Sequence, residues 1–233
     1  YRRALYEDPA DWLPDVTAAL DPWLQSLSLN QIIEAQLVAE MPKADGIASA
    51  DDPVQAQYEK HPYPHWLGLT VPNGGSRQAL MARATGDKAW LNRPLQVLIA
   101  GCGTGRHALM AAFGYGAKAS VLAVDISAKS LGYAARLAGE YQPGNLSFAQ
   151  ADLQALDGLP SGTLPEGGFD VIESVGVLHH LPDTAVGLKA LVAQLKSGGL
   201  IQLGLYRRDG REHVAQARAE IDALGLDPTR DDD

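Results

Sequence analysis

Two adjacent histidines, His179 and His180, close an apolar run that holds an acid, "FDVIESVGVLHH", and alternate glycines close another, "VLIAGCGTGRHA". A neutral imidazole can take a proton from an attacking oxygen or nitrogen near pH 7. A glycine turn between a strand and a helix lets backbone amides approach a nucleotide-like cofactor. Together the two patterns point to chemistry beside a bound cofactor, with His180 as the candidate base and His179 as its neighbour. The alternative is a histidine that bonds to backbone and shapes the loop. Other chemistries find less support. Cys102 lies between two glycines, where a small packed residue is the simpler reading than a nucleophile. Ser174 lacks the G-x-S-x-G elbow of a hydrolase. Glu173, His179 and His180 are close in sequence, but no spaced ligand set completes a metal site around them.

The cofactor can be narrowed from the glycine spacing. In a dinucleotide fingerprint, G-x-G-x-x-G, the third glycine allows close helix–strand packing. Here Gly101, Cys102, Gly103, Thr104 and Gly105 bring it one residue early, and Arg106 stands in its place. That counts against NAD while leaving a nicotinamide-dependent oxidoreductase as a rival. Asp125 ends the next apolar run, before Ile126, where a carboxylate can accept from both ribose hydroxyls. Asp152, before Leu153, ends the third run, where an acceptor suits an exocyclic adenine amine. The alternative for the pair is a helix cap and a solvent-facing acid.

These residues need elements to position them. Strands are expected at "LQVLIA", "SVLAV", "LSFAQ", "FDVIESV" and "LIQLGLY", with helices near 105–115, 128–140 and 184–196. Ser127 and Asp183 suit N-caps, and "SGGL" suits the end of the third helix. Such alternation predicts an α/β fold: a Rossmann-like, doubly wound, mostly parallel sheet with helices on both faces and its ligand beyond the carboxyl ends of the strands. Residues 1–90 read as a helical N-terminal segment or cap, and 91–233 as the cofactor-binding domain. Asp-Pro pairs at Asp8–Pro9, Asp21–Pro22 and Asp52–Pro53 mark helix starts. Asn30 is expected to cap "QIIEAQLVAEM", and Ser76 to cap "RQALMARAT", which stops at Gly86. "REHVAQARAEIDALG" predicts an amphipathic helix with Val214, Ala217, Ile221 and Leu224 on one stripe.

The segments "VLIAGCGTG", "AVDIS", "AQADLQAL", "FDVIESVGVLHHLPD" and "LKSGGLIQLGLY", covering about 95–206, resemble the class I S-adenosylmethionine-dependent methyltransferases in order and spacing. The resemblance implies S-adenosyl-L-methionine as cofactor and methyl transfer to an O or N acceptor, which could be a small molecule, a protein side chain or a glycan. It implies that Gly101 to Gly105 cradle the cofactor, Asp125 and Ile126 its ribose, and Asp152 and Leu153 its adenine. Glu173, Ser174 and Val175 would flank its methionine end. The family's usual carboxylate two residues before the first glycine is replaced by Ile99, so Arg106, His107 or an N-terminal residue is expected to serve there. A non-catalytic cofactor-binding or interaction module remains the alternative. "VQAQYEKHPYPHW" is similar to a segment that precedes this domain in bacterial proteins where tetratricopeptide repeats come first. The family's two further strands do not fit into 207–233, so a C-terminally truncated domain is expected.

Tyr58, Tyr63, His65 and Trp66 crowd that same stretch, where Pro62 and Pro64 forbid regular helix. Rings on stiff backbone suit a lid over an adenine or a sulfonium; the alternative is a loop that packs its rings onto the domain. Composition sets the outer limits. A net charge of -9 argues against a broad nucleic-acid or anionic-membrane surface. A hydrophobic content of 46% with 20% charged residues matches a soluble globular chain. No apolar run reaches the length of a membrane span. A single cysteine allows no internal disulfide, so a cytoplasmic setting is expected.

Overall fold

The computed structural model describes residues 22–45, 47, 53–66, 68–206 and 212–225. Pro22 and Pro53 open the first two helices, α1 (Pro22–Glu40) and α2 (Pro53–Lys60), at positions where a missing N–H costs nothing. Helix α3 (Ser76–Thr85) and a 3₁₀ turn at Lys88–Leu91 lead into the sheet. Strands β1 (Leu95–Ala100), β2 (Ala119–Asp125), β3 (Leu146–Gln150), β4 (Phe169–Val175) and β5 (Leu195–Gly204) follow. Between them run α4 (Arg106–Tyr115), α5 (Ala128–Tyr141) and α6 (Thr184–Ala193), and α7 (Glu212–Ala223) comes last.

The five strands are all parallel and lie in the order β3-β2-β1-β4-β5. The fold is therefore the Rossmann-like doubly wound sheet that the alternation predicts. Its strand order reverses between β1 and β4, and the crevice at such a point is where open α/β sheets bind ligands. Alternate residues of each strand face opposite sides. Val97, Ile99, Val121, Ala123 and Val171 pack with α4 and α5, while Leu98, Ala100, Leu122, Val124 and Ile172 pack with Leu178 and Leu191 on the other face.

The helical segment ahead of β1 is built into this sheet. Lys43 bridges Gln150 of β3, with Gln150 N–H donating to the Pro42 carbonyl at 2.9 Å and Ala44 N–H to the Gln150 carbonyl at 2.9 Å. Helix α1 lies against α5, where Arg136 donates to Glu34 at 2.8 Å and to Glu140 at 2.7 Å. Gly132 makes the close approach possible, since a Cβ there would sit 3.0 Å from the Glu34 carbonyl oxygen.

Several local expectations are corrected. Asn30 sits inside α1 and caps nothing, because the helix already starts at Pro22 and packing on α5 carries it through. Ser76 is the first residue of α3, and Gly75, at φ 81°, occupies the cap without a side chain. The third predicted helix stops at Ala193, capped by Gln194; "SGG" instead forms an irregularity in β5, with Gly198 at φ 75° where the register jumps from Phe169–Leu195 to Val171–Leu200. Ser127 and Asp183 do cap, accepting from Ser130 and from Ala185 and Val186. The stripe expected on α7 is not buried: Ala217, Ile221 and Leu224 are exposed. The side chain of Val214, the Asp8–Pro9 start and the opening "YRRALYEDPADWL" lie outside the described residues.

Replacing Gly132 tests the α1–α5 contact. Any residue but Pro raises helix propensity, by up to about 1 kcal/mol for Ala over Gly, yet a branched side chain must push the Glu34 backbone away. Gly132→Val is expected to lower stability by about 1–3 kcal/mol, read from urea unfolding. A neutral or stabilised variant would show that α1 is not seated there.

Candidate functional site

The turn from β1 to α4 is held by its own backbone. Gly101 and Cys102 N–H both donate to the Val124 carbonyl, at 2.9 and 3.0 Å. Gly103 N–H donates to Asp125 Oδ2 at 2.7 Å. All three glycines are sterically required, a Cβ on Gly101 striking the Val177 side chain. A Cβ on Gly103 would lie 2.6 Å from the Tyr63 carbonyl oxygen, and one on Gly105 would lie 2.5 Å from the Ala134 side chain of α5. The third glycine therefore seats α5 against the turn, and Arg106 stands exposed as the first residue of α4. Cys102 is buried, and burial pushes its thiol well above the usual range, which suits packing and not nucleophilic attack.

Asp125 closes β2 beside this turn. Its Oδ1 accepts from Ser127 N–H at 3.0 Å, so one carboxylate joins the glycine turn to the start of α5. Burial pushes its carboxyl above the ordinary value; the amides of Ser127, Gly103 and Ile126 pull it down by less, and the Glu59 carboxylate adds to the rise. Glu59 caps α5 from α2, accepting from Ala128 N–H at 2.5 Å and Lys129 N–H at 3.2 Å. Ile126 gives its carbonyl to Gln150 Nε2 at 3.0 Å. Asp152, half-buried past β3, accepts from Gln154 N–H at 2.8 Å, and Leu153 packs into the core.

The aromatic stretch divides. Trp66 is buried and donates from Nε1 to the Thr104 carbonyl at 3.0 Å; the Tyr133 hydroxyl donates to the Trp66 carbonyl at 2.6 Å. The Thr104 hydroxyl donates to the Pro64 carbonyl. His65 meets Tyr133 edge-on. Trp66 therefore packs onto the domain, whereas His65 is exposed and meets it at Tyr133. Tyr63 stays exposed, and the Tyr58 hydroxyl lies 3.3 Å from His180 Nε2. His180 closes a 3₁₀ turn, Leu178–His180, beyond β4. The His179 ring lies 4.3 Å from that of His180 and 4.0 Å from that of Tyr206, between centroids.

Glu173 is the group that sequence reasoning left least explained. Its side chain has no exposure, and Arg77 donates to both of its oxygens, at 2.6 and 2.5 Å. His107 Nε2 lies 2.6 Å from Oε2, and the Tyr115 hydroxyl donates to Oε1 at 2.6 Å. Burial works to raise its pKa, but His107, Arg77 and Tyr115 outweigh it and hold the carboxyl below the usual range. Ser174 beside it is buried, and Val175 is exposed at the strand end. The sequence does carry a signal for Glu173, an acid in phase with Val171 in a strand with both faces buried. Arg77 and Glu59 gave none, because their partners lie far away in the chain. Among the described residues, no cluster of three His, Cys, Asp or Glu side chains could hold a metal ion. None of the described helices is long and apolar enough to cross a membrane.

A glycine turn at the switch point, an acid ending β2 and histidines beyond β4 thus lie along one edge of the sheet. Residues 97–199 match a family model described as a methyltransferase domain. This stretch is therefore similar to methyltransferase domains. An uncharacterised protein of Synechococcus sp. is 34% identical over 76% of this chain and 42% of its own length. A ubiquinone biosynthesis O-methyltransferase of Albidiferax ferrireducens is 32% identical over 51% of this chain and 44% of its own. The chain thus spans less than half the length of these relatives. Among solved structures, an arsenic(III) S-adenosylmethionine methyltransferase from Chlamydomonas reinhardtii is 26% identical, with a TM-score of 0.46 over 76% of this chain and 54% of that one.

The Glu173 cluster makes stability depend on pH with a definite sign. A carboxyl whose pKa is lowered on folding contributes stability that is present above its unfolded value, near 4.5, and lost as pH falls through the folded value. Glu173→Gln is expected to cost about 3–5 kcal/mol at pH 7, since it strands the Arg77 charge. The gap between variant and wild type should then narrow as pH drops below that value, read from urea unfolding between pH 7 and 3. A gap that stays constant would show that the Glu173 charge contributes nothing.

Proposed function

We propose that this chain binds S-adenosyl-L-methionine in the crevice where the strand order reverses between β1 and β4, with Asp125 of β2 at its side, and transfers its methyl group to an oxygen or nitrogen acceptor. The observation that carries the reading is Asp125. A carboxylate has about four acceptor sites, and each Asp125 oxygen gives one to a backbone amide, which fixes the carboxylate while leaving capacity for a vicinal diol. Asp152, past the end of the neighbouring strand, is positioned for an adenine amine. Gly101 to Gly105, with Ile126 and Leu153 behind the acids, would form the rest of the cradle, and Tyr58 and Tyr63 would cover it. When bound, the cofactor supplies a methyl group on a sulfonium that is already a good leaving group. The chain's own work is then to align the acceptor, which can provide roughly 7–11 kcal/mol of the barrier, and to accept a proton.

His180 is the residue we assign to that proton. It lies beyond β4, the strand beside the crevice, and Tyr58 holds its ring from α2. Burial first, then Asp125, Tyr206 and Tyr63, raise the Tyr58 pKa, so its phenol stays protonated and can orient the imidazole without competing as a base. His179, stacked against Tyr206, supports the turn. The same proposal places the enzyme in the cytoplasm, with residues 1–90 as its cap and tetratricopeptide repeats in the parent chain, supported by "VQAQYEKHPYPHW".

Calorimetric titration tests the cofactor. S-adenosylmethionine or its demethylated product is expected to bind near micromolar, about -8 kcal/mol, and NAD not to bind; tight NAD binding with no response to S-adenosylhomocysteine would overturn the reading. The base is tested separately, once a screen supplies an acceptor. His180→Ala is expected to keep cofactor affinity and lower turnover by about 10²–10⁴-fold. Full turnover of the folded variant across pH 6 to 8 would remove histidine from the mechanism.

A further inference from the structure

The acid missing from β1 has a counterpart one strand away. Ile99 and Glu173 are partners in the parallel β1–β4 register, and partners share a face of the sheet. Ile99 and Val171 both pack under α4, so Glu173 stands on that face too, two residues short of the strand end. It cannot meet a ligand ammonium as it stands. Arg77 engages both oxygens, and His107 and Tyr115 take one each. What it does instead is hold two basic groups in place. Arg77, from α3, keeps 19% of its side chain exposed, and His107, in the first turn of α4, keeps 27%. The amides at that helix start add a positive dipole end to the same corner.

We propose that Glu173 is a relocated positioning acid: from β4 it fixes Arg77 and His107, and these two bind the carboxylate of the amino-acid end of the cofactor. The proposal rests on the cofactor reading above. It assigns Arg77, a residue outside the glycine-turn motif, to the cofactor site. It also explains why an apolar Ile99 is tolerated: the charge that organises the corner comes from the neighbouring strand. Arg77 reaches Glu173 along α4, where Gly114 leaves room; a Cβ there would lie 2.9 Å from the Arg77 side chain.

Two probes isolate the amino-acid end. S-adenosylhomocysteine carries it, and 5′-deoxy-5′-methylthioadenosine lacks it. In calorimetric titrations of the 233-residue chain, His107→Asn and Arg77→Lys are expected to weaken S-adenosylhomocysteine by about tenfold, while methylthioadenosine changes by less than about twofold. His107→Asn leaves the Arg77–Glu173 pair intact, so folding is retained. Moving the acid back, with Ile99→Glu and Glu173→Ile together, should restore stability and S-adenosylhomocysteine affinity relative to Glu173→Ile alone. Equal losses for both probes in a variant with wild-type melting would make the cluster a general support and overturn the proposal, as would unchanged S-adenosylhomocysteine affinity. If the wild type binds neither probe, the cofactor reading itself falls and this proposal with it.

Discussion

A carboxylate cut off from water must have its charge answered within the fold, and Glu173 is that group here. Ionised and unpaired it would cost several kcal/mol. Its three partners come from α3 and from both ends of α4, so satisfying one acid ties the helix before the sheet and the helix after the glycine turn to β4, which carries the acid. Tyr115 is itself fully buried, and burial together with the adjacent Glu173 charge pushes its phenol far above the usual range, so it keeps its proton and donates to the carboxylate. An ionised Glu173 can only accept, and Arg77 and Tyr115 both donate to it. Placed beneath the crevice, it makes the position of the glycine turn depend on the ion cluster as well as on the sheet.

Asp125 does similar work at the other side of the crevice, with a different balance. Backbone amides, and not side-chain cations, answer it, and they compensate burial less fully, so its carboxyl is raised where that of Glu173 is lowered. A carboxylate left partly uncompensated gains from further donors, and a diol supplies two of them. The contrast separates the roles of the two acids. Glu173 is saturated by its partners, whereas each Asp125 oxygen keeps acceptor capacity.

Local pattern revealed most of the sheet. "LQVLIA", "LSFAQ" and "FDVIESV" became strands with those bounds because each is a short run limited by turn residues, and parallel strands buried on both faces need little else. Ser127 and Asp183 were readable because an N-cap is a contact within four residues. Where the reading failed, something longer in range decided. Asn30 has the chemistry of a cap, but α1 gains more by continuing along α5. The two glycines of "SGGL" signal a break, and only the pairing with β4 decides that the break falls inside a strand. At the site, the glycine turn, Asp125, Asp152 and His180 were legible as types at expected spacings. Glu59 and Arg77 were not, because each is an ordinary charged residue on a short helix until its partner, 69 or 96 positions away, is known.

That distance bears on where the functional unit begins. A texture change near residue 90 reads in the sequence as a boundary, yet the contacts that shape the crevice cross it repeatedly. Glu59 caps α5, the Tyr63 and Pro64 carbonyls accept from the glycine turn, and Arg77 answers Glu173. Separating the two stretches would leave a buried acid without its main counterion, at about 3–5 kcal/mol, against a total stability of about 5–15 kcal/mol for a typical domain. It would also unroof the start of α5 and free the turn that the glycines exist to tighten. The helices ahead of β1 are thus part of the site's scaffold: they supply the charges and carbonyls that keep the glycine turn in one conformation.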